Sequence, residues 1–224
     1  MKVVSPTAAF DAGRELARRL IAALRDPAFL PVIYPALYGD GVDEGSLHAY
    51  MLSGLVLIGD HLGYSPVCDS PIFDRLDKLL TSEGAKRPDA IWFTRGTQTV
   101  RCLLEFERYT RFSLVSKAKN LLVMGKELQG DLHLAVLDYW TYTPLSDMDL
   151  VDVRRIFESG FRHSSGVAFP PLTCATAIIE TLVTHQGGKS HIIGVLPRVF
   201  AIGGETKTYV VNELRGAIES SSLE

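Results

Sequence analysis

The sequence predicts an α/β protein with a mixed central sheet flanked by helices. Three observations predict it. Apolar residues recur at helical spacing over 7–26, 43–62 and 113–124. Apolar runs of strand length lie at 88–93, 99–107 and 132–139. Over residues 43–140 the resulting order is helix, strand, strand, strand, helix, strand. An N-terminal helical extension (1–42) precedes that core and an α/β extension (141–224) follows it. No repeat, low-complexity tract or linker divides the chain, so 1–224 is expected to form one compact unit.

The elements follow in order. Residues 7–26 are expected to start at Thr7 as N-cap, to share Leu16, Leu20, Ile21 and Leu24 on one face, and to end at Asp26-Pro27. Prolines 27, 31 and 35 mark an irregular connection up to Tyr38. A second helix begins near Asp43 or Ser46 and runs to Leu62, with Gly63 as its C-terminal cap. A short strand over 64–69, a short helix over 72–82 and a loop over 83–86 come next. Strands 88–93 and 99–107 are joined by a short loop containing Gly96, so they read as a hairpin. A helix over 113–124 leads to the strand 132–139. Beyond it, 147–161 and 174–185 read as helices, and 191–202 and 206–211 as strands around Gly203-Gly204. The last strands are expected either to extend the sheet or to form a small lobe.

Composition excludes several classes. Hydrophobic residues are 46% and charged residues 22%, which rules out a disordered or fibrous chain. The net charge of −3 argues against a surface basic all round, but it is an average. From Lys86 to Lys126 the chain carries +6, so the remainder carries −9. Cys68, Cys102 and Cys174 contain no C-x-x-C pair and are odd in number, against a disulfide framework or a structural zinc. The opening residues lack an uninterrupted apolar run with a cleavage site, and the apolar stretch 47–62 is short and interrupted by His48, Asp60 and His61. The expectation is a soluble, cytoplasmic protein with no membrane partner.

The chemistry-bearing residues sit at defined places in this order. Glu105 and Glu107 are two apart on one strand and therefore share a face, opposite Leu104 and Phe106. Asp89, after Pro88, begins the partner strand, and an antiparallel hairpin lays the start of one strand beside the end of the other. Three carboxylates on one patch repel unless a cation joins them, and an oxygen-rich set suits Mg²⁺ or Mn²⁺. Such an ion acidifies a bound water and stabilises charge on a phosphodiester. Surface carboxylates paired with Arg101, Arg108 or Arg111 are the plain alternative.

Pro88-Asp89, fifteen residues, then Glu105-Phe106-Glu107 within an αβββαβ order resembles the PD-(D/E)xK nuclease superfamily, the restriction-endonuclease-like fold. The resemblance covers about 43–140. It implies a metal-dependent nuclease in which Asp89 and Glu105 hold the metal. Glu107 stands where that family commonly has Lys, so it would complete the cluster or orient water. In some members the Lys moves to the following helix, which makes Lys119 and Lys117 candidates here. Lys119 ranks first, because Lys117 lies nearer the helix start. Glu44, on the helix before the strands, is a further metal candidate, although a first-turn acid also suits the helix dipole. Asp69 is a weaker one. The implied partner is nucleic acid, chiefly DNA, drawn by the basic segment. Cutting both strands would call for a homodimer, and no interface for one is legible.

The departure at Glu107 supports an alternative: a nuclease-like protein without activity, kept for nucleic-acid binding or complex assembly. A third reading is a regulatory protein whose carboxylates form surface ion pairs. Other residue types fit structure better. His48 and His61 read as core or capping groups, and His163, His185 and His191 lack ligand spacing. Gly187-Gly188-Lys189-Ser190 lacks the first glycine of a phosphate loop, so it reads as a turn. Arg95, with Thr94, Thr97 and Gln98, occupies the hairpin tip, and Trp92 and Trp140 read as packing residues.

Overall fold

The computed structural model describes residues 6–26, 28–35, 39–68, 88–126, 128, 130–202, 205–208, 210–211 and 218–219. The expected helix over 72–82 and the candidate Asp69 lie outside the described residues. The elements up to the first core strand are α1 (Pro6–Arg25), α2 (Leu30–Ile33), β1 (Val42–Asp43), α3 (Glu44–His61) and β2 (Tyr64–Cys68). Next come β3 (Ala90–Thr94), β4 (Val100–Arg108), α4 (Arg111–Lys126), β5 (Leu134–Thr141) and α5 (Val151–Ser159). The remainder contains β6 (Phe161–Arg162), β7 (Ala168–Phe169), β8 (Ala175–Gln186), β9 (Lys189–Ile202) and β10 (Glu205–Thr208). No helix among the described residues is long and apolar enough to cross a membrane.

The protein is α/β, with a mixed eight-stranded sheet ordered β1-β9-β8-β5-β4-β3-β2, and β10 added onto β9. The β4–β5 and β5–β8 pairs are parallel, and the remaining pairs of this sheet are antiparallel. Parallel neighbours need a crossover, and α4 supplies it between β4 and β5. The helix–strand–strand–strand–helix–strand order expected for 43–140 is present, from α3 to β5.

Strand alternation divides the core into two apolar layers. Ala90, Cys102, Leu104, Phe106, Val136 and Trp140 pack against α1 and α3. Ile91, Leu103, Leu137 and Tyr139 pack against α4 and α5. The α3 layer depends on close approach. A Cβ at Gly59 would lie 2.6 Å from Trp92 Nε1, and one at Gly54 would overlap the Tyr34 ring.

One expected element is corrected. Residues 174–185 are not a helix but most of β8, in the middle of the sheet. Ala175 to Val183 are buried without a break, so the strand shows no apolar–polar alternation to reveal it. Its content of β-branched residues (Thr176, Ile178, Ile179, Thr181, Val183, Thr184) favours the extended form. Gly187 and Gly188, at φ of 59° and 81°, then close a two-residue hairpin into β9. Of the C-terminal strands, β9 and β10 extend the sheet, while Val210–Val211 and Ile218–Glu219 pair as a separate two-stranded sheet. The helix expected over 147–161 is confined to α5.

Asp138 is the buried carboxyl of the α3 layer. Thr181 Oγ1 donates to its Oδ1 at 3.2 Å. Burial pushes its pKa up to about 8, against the hydrogen bonds from Thr181 and the Tyr139 backbone. The folded state therefore holds a proton that the unfolded chain releases at ordinary carboxyl pH. This stabilisation is fully present below the unfolded pKa and is lost as pH rises towards about 8. Asp138→Asn should flatten that fall, and should be more stable than the parent at pH 8 but not at pH 4, in urea titrations. Gly59→Ala should cost about 1–3 kcal/mol in the same measurement, because Trp92 has no room to yield.

Candidate active site

The hairpin and the crossover helix bring three charged side chains together. In the β3–β4 register Ala90 faces Leu104, which sets Asp89 beside Glu105. Asp89 Oδ2 accepts the Phe106 backbone N–H at 2.7 Å, so the carboxylate is fixed by the strand it faces. Glu105 shares the α4 side of the sheet with Leu103 and is 0% exposed. Lys117 Nζ lies 2.7 Å from Asp89 Oδ2 and 2.5 Å from Glu105 Oε2.

Helix periodicity explains why Lys117 is the lysine that arrives. Thr110 and Ser113 cap α4 reciprocally: the Ser113 N–H donates to Thr110 Oγ1, and the Thr110 N–H donates to Ser113 Oγ. Leu114, Ala118, Leu121 and Leu122 then bury against the sheet. Lys117 stands three residues after Leu114 and four before Leu121, within that stripe. Lys119 is two residues further round the helix, and its Nζ sits 5.4 Å from the Phe161 ring centroid. The structure thus reverses the expected ranking of the two lysines. The apolar stripe itself carried the signal, since a lysine at a core-facing position must find a counter-charge.

The other candidates are placed elsewhere. Glu107 is half-buried on the same side of β4 as Glu105, but its Oε1 accepts the Arg108 backbone N–H at 2.9 Å. Glu44 lies on the α3 side, where it pairs with Arg108 at 3.0 Å. The expected convergence of Asp89, Glu105 and Glu107, with Glu44 as a fourth, is therefore not formed. Among the described residues, no group of three or more His, Cys, Asp and Glu side chains is placed to hold a metal ion. A lysine occupies the place expected for a third carboxylate.

Electrostatics follow from burial. Burial pushes the Glu105 carboxyl well above its ordinary range, and the neighbouring Asp89 adds to the rise, while Lys117 opposes both. Burial works against the charge on Lys117, yet Glu105 and Asp89 outweigh it and raise its pKa. The amine is thus held as ammonium. Glu105 Oε1 is buried without a hydrogen-bond partner, and both hydrogen bonds found on Asp89 fall on Oδ2. The site keeps acceptor oxygens that nothing in the described structure uses.

Among the described residues, the basic segment is largely neutralised in three dimensions. Arg95 pairs with Asp60, Arg101 with Asp131, Arg108 with Glu44 and Arg111 with Asp152. Lys126, like Lys119, lies over an aromatic ring, that of Phe169. Arg95, expected at a free hairpin tip, also donates to the Asp60 and Tyr64 carbonyls and ties the hairpin to α3. The acids that compensate this segment come from the −9 remainder of the chain.

Neither a protein-family model, nor a curated protein, nor a solved structure matches this chain at a significant level. Lys117→Ala should leave Glu105 buried without its counter-ion and cost about 3–5 kcal/mol in urea denaturation at neutral pH. Lys119→Ala should cost under about 1 kcal/mol in the same titration.

Proposed function

We propose that this protein is a metal-dependent nuclease that hydrolyses phosphodiester bonds, with DNA as the principal substrate. The observation that carries the reading is the convergence of Asp89, Glu105 and Lys117 from a hairpin and a crossover helix, with one buried Glu105 oxygen left unsatisfied. Two carboxylates and an amine in this αβββαβ frame match the restriction-endonuclease-like pattern in its variant with a lysine moved to the helix. That fold assignment belongs to the same proposal.

Asp89 and Glu105 would hold Mg²⁺ or Mn²⁺, and the fit is to the donor chemistry. Mg²⁺ binds through one or two carboxylates and retains several waters. When bound, the ion supplies an acidified water and charge stabilisation at the phosphate. The protein's own groups do the remaining work. Lys117 is held as ammonium, so it acts as a hydrogen-bond donor and positive charge for the phosphate oxygens, not as a general base. The Phe106 N–H keeps Asp89 in place. Glu107, further along the same side of β4, would orient water only if its carboxylate left the Arg108 N–H.

One observation favours a second reading. Lys117 already pairs with both carboxylates, and the surrounding arginines are paired as well. In that reading the ammonium replaces the metal permanently, and the chain serves nucleic-acid binding or assembly without hydrolysis.

The deciding experiment incubates the protein with DNA and Mg²⁺ or Mn²⁺ and compares Asp89→Asn and Glu105→Gln. Cleavage should fall by more than the roughly 10- to 100-fold that accompanies loss of a residue supporting a metal site. Lys119→Ala should cleave like the parent. Mn²⁺ binding, followed by calorimetry, should strengthen as pH rises above the ordinary carboxyl range, because the raised proton affinity of Glu105 competes with the ion. Mn²⁺ binding without cleavage would favour the second reading. Absence of both would remove the enzyme.

A further inference from the structure

We propose that the C-terminal ends of β4 and β5 carry a stacking platform for one unpaired nucleobase, built from Arg108, Trp140 and Tyr142. The proposal rests on the nucleic-acid reading of the Asp89–Glu105–Lys117 cluster and narrows its substrate to a strand with an unpaired segment.

Alternation along β4 generates the juxtaposition. Glu105 and Glu107 go to the α4 side, while Phe106 and Arg108 go to the α3 side. The Arg108 guanidinium carbon lies 5.1 Å from the Trp140 ring centroid and 5.8 Å from that of Tyr142. The two rings meet edge to face, with centroids 5.4 Å apart and planes at 87°. Trp140 is buried and forms the wall, whereas Tyr142 is 39% exposed and the Arg108 side chain 56%. The outer surface of this layer therefore meets water.

Glu44 fixes the layer. Its Oε1 accepts from Arg108 Nη1 at 3.0 Å, and its charge, after burial, raises the Tyr142 phenol pKa. A guanidinium has five N–H donors in one plane. Among the described residues the Arg108 guanidinium makes a single hydrogen bond, the one to Glu44. A flat cation is thus held at a defined angle with its remaining donors uncommitted. That is the chemistry of base stacking: an aromatic and guanidinium surface for the π-face, and N–H groups for an adjoining phosphate. Paired bases in a duplex do not expose their faces, so the occupant is an unpaired nucleotide. Three residues of extended strand set the Arg108 backbone about 10 Å from that of Glu105, on the opposite face of β4, so a strand meeting both must pass round the C-terminal edge of the sheet. The other described arginines of this segment, Arg95, Arg101 and Arg111, are tied to acids without an aromatic layer, which singles out Arg108 among them.

The test uses the whole protein, with chelator present so that no hydrolysis occurs. Oligothymidylate is titrated against it, alongside the same oligonucleotide annealed to its complement. Binding should quench tryptophan fluorescence with the single strand and favour it over the duplex. Trp140→Phe should remove the signal, since the other tryptophan, Trp92, stacks on Tyr64 and takes no part in the Arg108 layer. Tyr142→Ala and Arg108→Ala should each weaken binding roughly 5- to 100-fold, and Tyr142→Phe should restore most of it. A thermal melt of each variant reports whether it is folded. Parental affinity in Tyr142→Ala and Arg108→Ala, equal binding of duplex, or no binding of either probe would overturn the platform. Cleavage that depends on Asp89 but not on Tyr142 would sink the platform and spare the nuclease. Tyr142-dependent binding without any metal-dependent cleavage would do the reverse.

Discussion

The ammonium of Lys117, between the carboxylates of Asp89 and Glu105, is the interaction on which the candidate site depends. Glu105 is fully buried in the α4 layer, where an uncompensated carboxylate would be costly. The helix carrying Lys117 is also the crossover that makes β4 and β5 parallel, so its seating on the sheet and the charge balance of Glu105 are one problem. The Thr110–Ser113 cap fixes where α4 starts, and that start sets which residues face the sheet. A shift of the helix by one residue would rotate Lys117 away and leave Glu105 without its counter-ion.

Charge in this protein is organised by tertiary pairing more than by segment. The stretch 86–126 is strongly basic as a sequence, yet its described arginines meet Asp60, Asp131, Glu44 and Asp152 from outside it. These pairs are solvated to differing degrees, and each contributes little to stability on its own. Their effect is to remove a broad positive field and to leave local features. The carboxylate–ammonium cluster lies on one face of β4 and the Arg108 layer on the other. Recognition of a polyanion by such a surface would depend on fixed donors and stacking planes more than on net charge.

Much of the core was legible because local chemistry and tertiary role agree there. Helix boundaries near Asp43 and Gly63 and the hairpin around Gly96 carry punctuation that survives in the structure, whereas the strand expected over 132–139 runs Leu134–Thr141. Residues 174–185 were not legible as a strand because β8 is buried on both faces. Without alternation its apolar run is compatible with either periodicity, and only pairing with β5 and β9 chooses the extended form. The candidate site was half legible. Asp89 and Glu105 follow from hairpin register, since side chains two apart share a face and antiparallel strands bring their ends together. Glu107 shares that face as well, but its carboxylate turns to the Arg108 N–H, a choice between rotamers that strand periodicity does not make.

By itself the sequence determined the α/β class, the order of elements from 43 to 140 and the facing of Asp89 and Glu105, because these depend on periodicity and on turns encoded within a few residues. The tertiary structure alone decided that Lys117 and not Lys119 meets the carboxylates, that Glu44 serves Arg108 on the opposite face, and that β8 lies in the middle of the sheet. Each of those outcomes is a competition between distant partners for one buried position. It is settled by desolvation and by the helix and strand faces that packing brings together, and neither quantity exists until the layers are assembled.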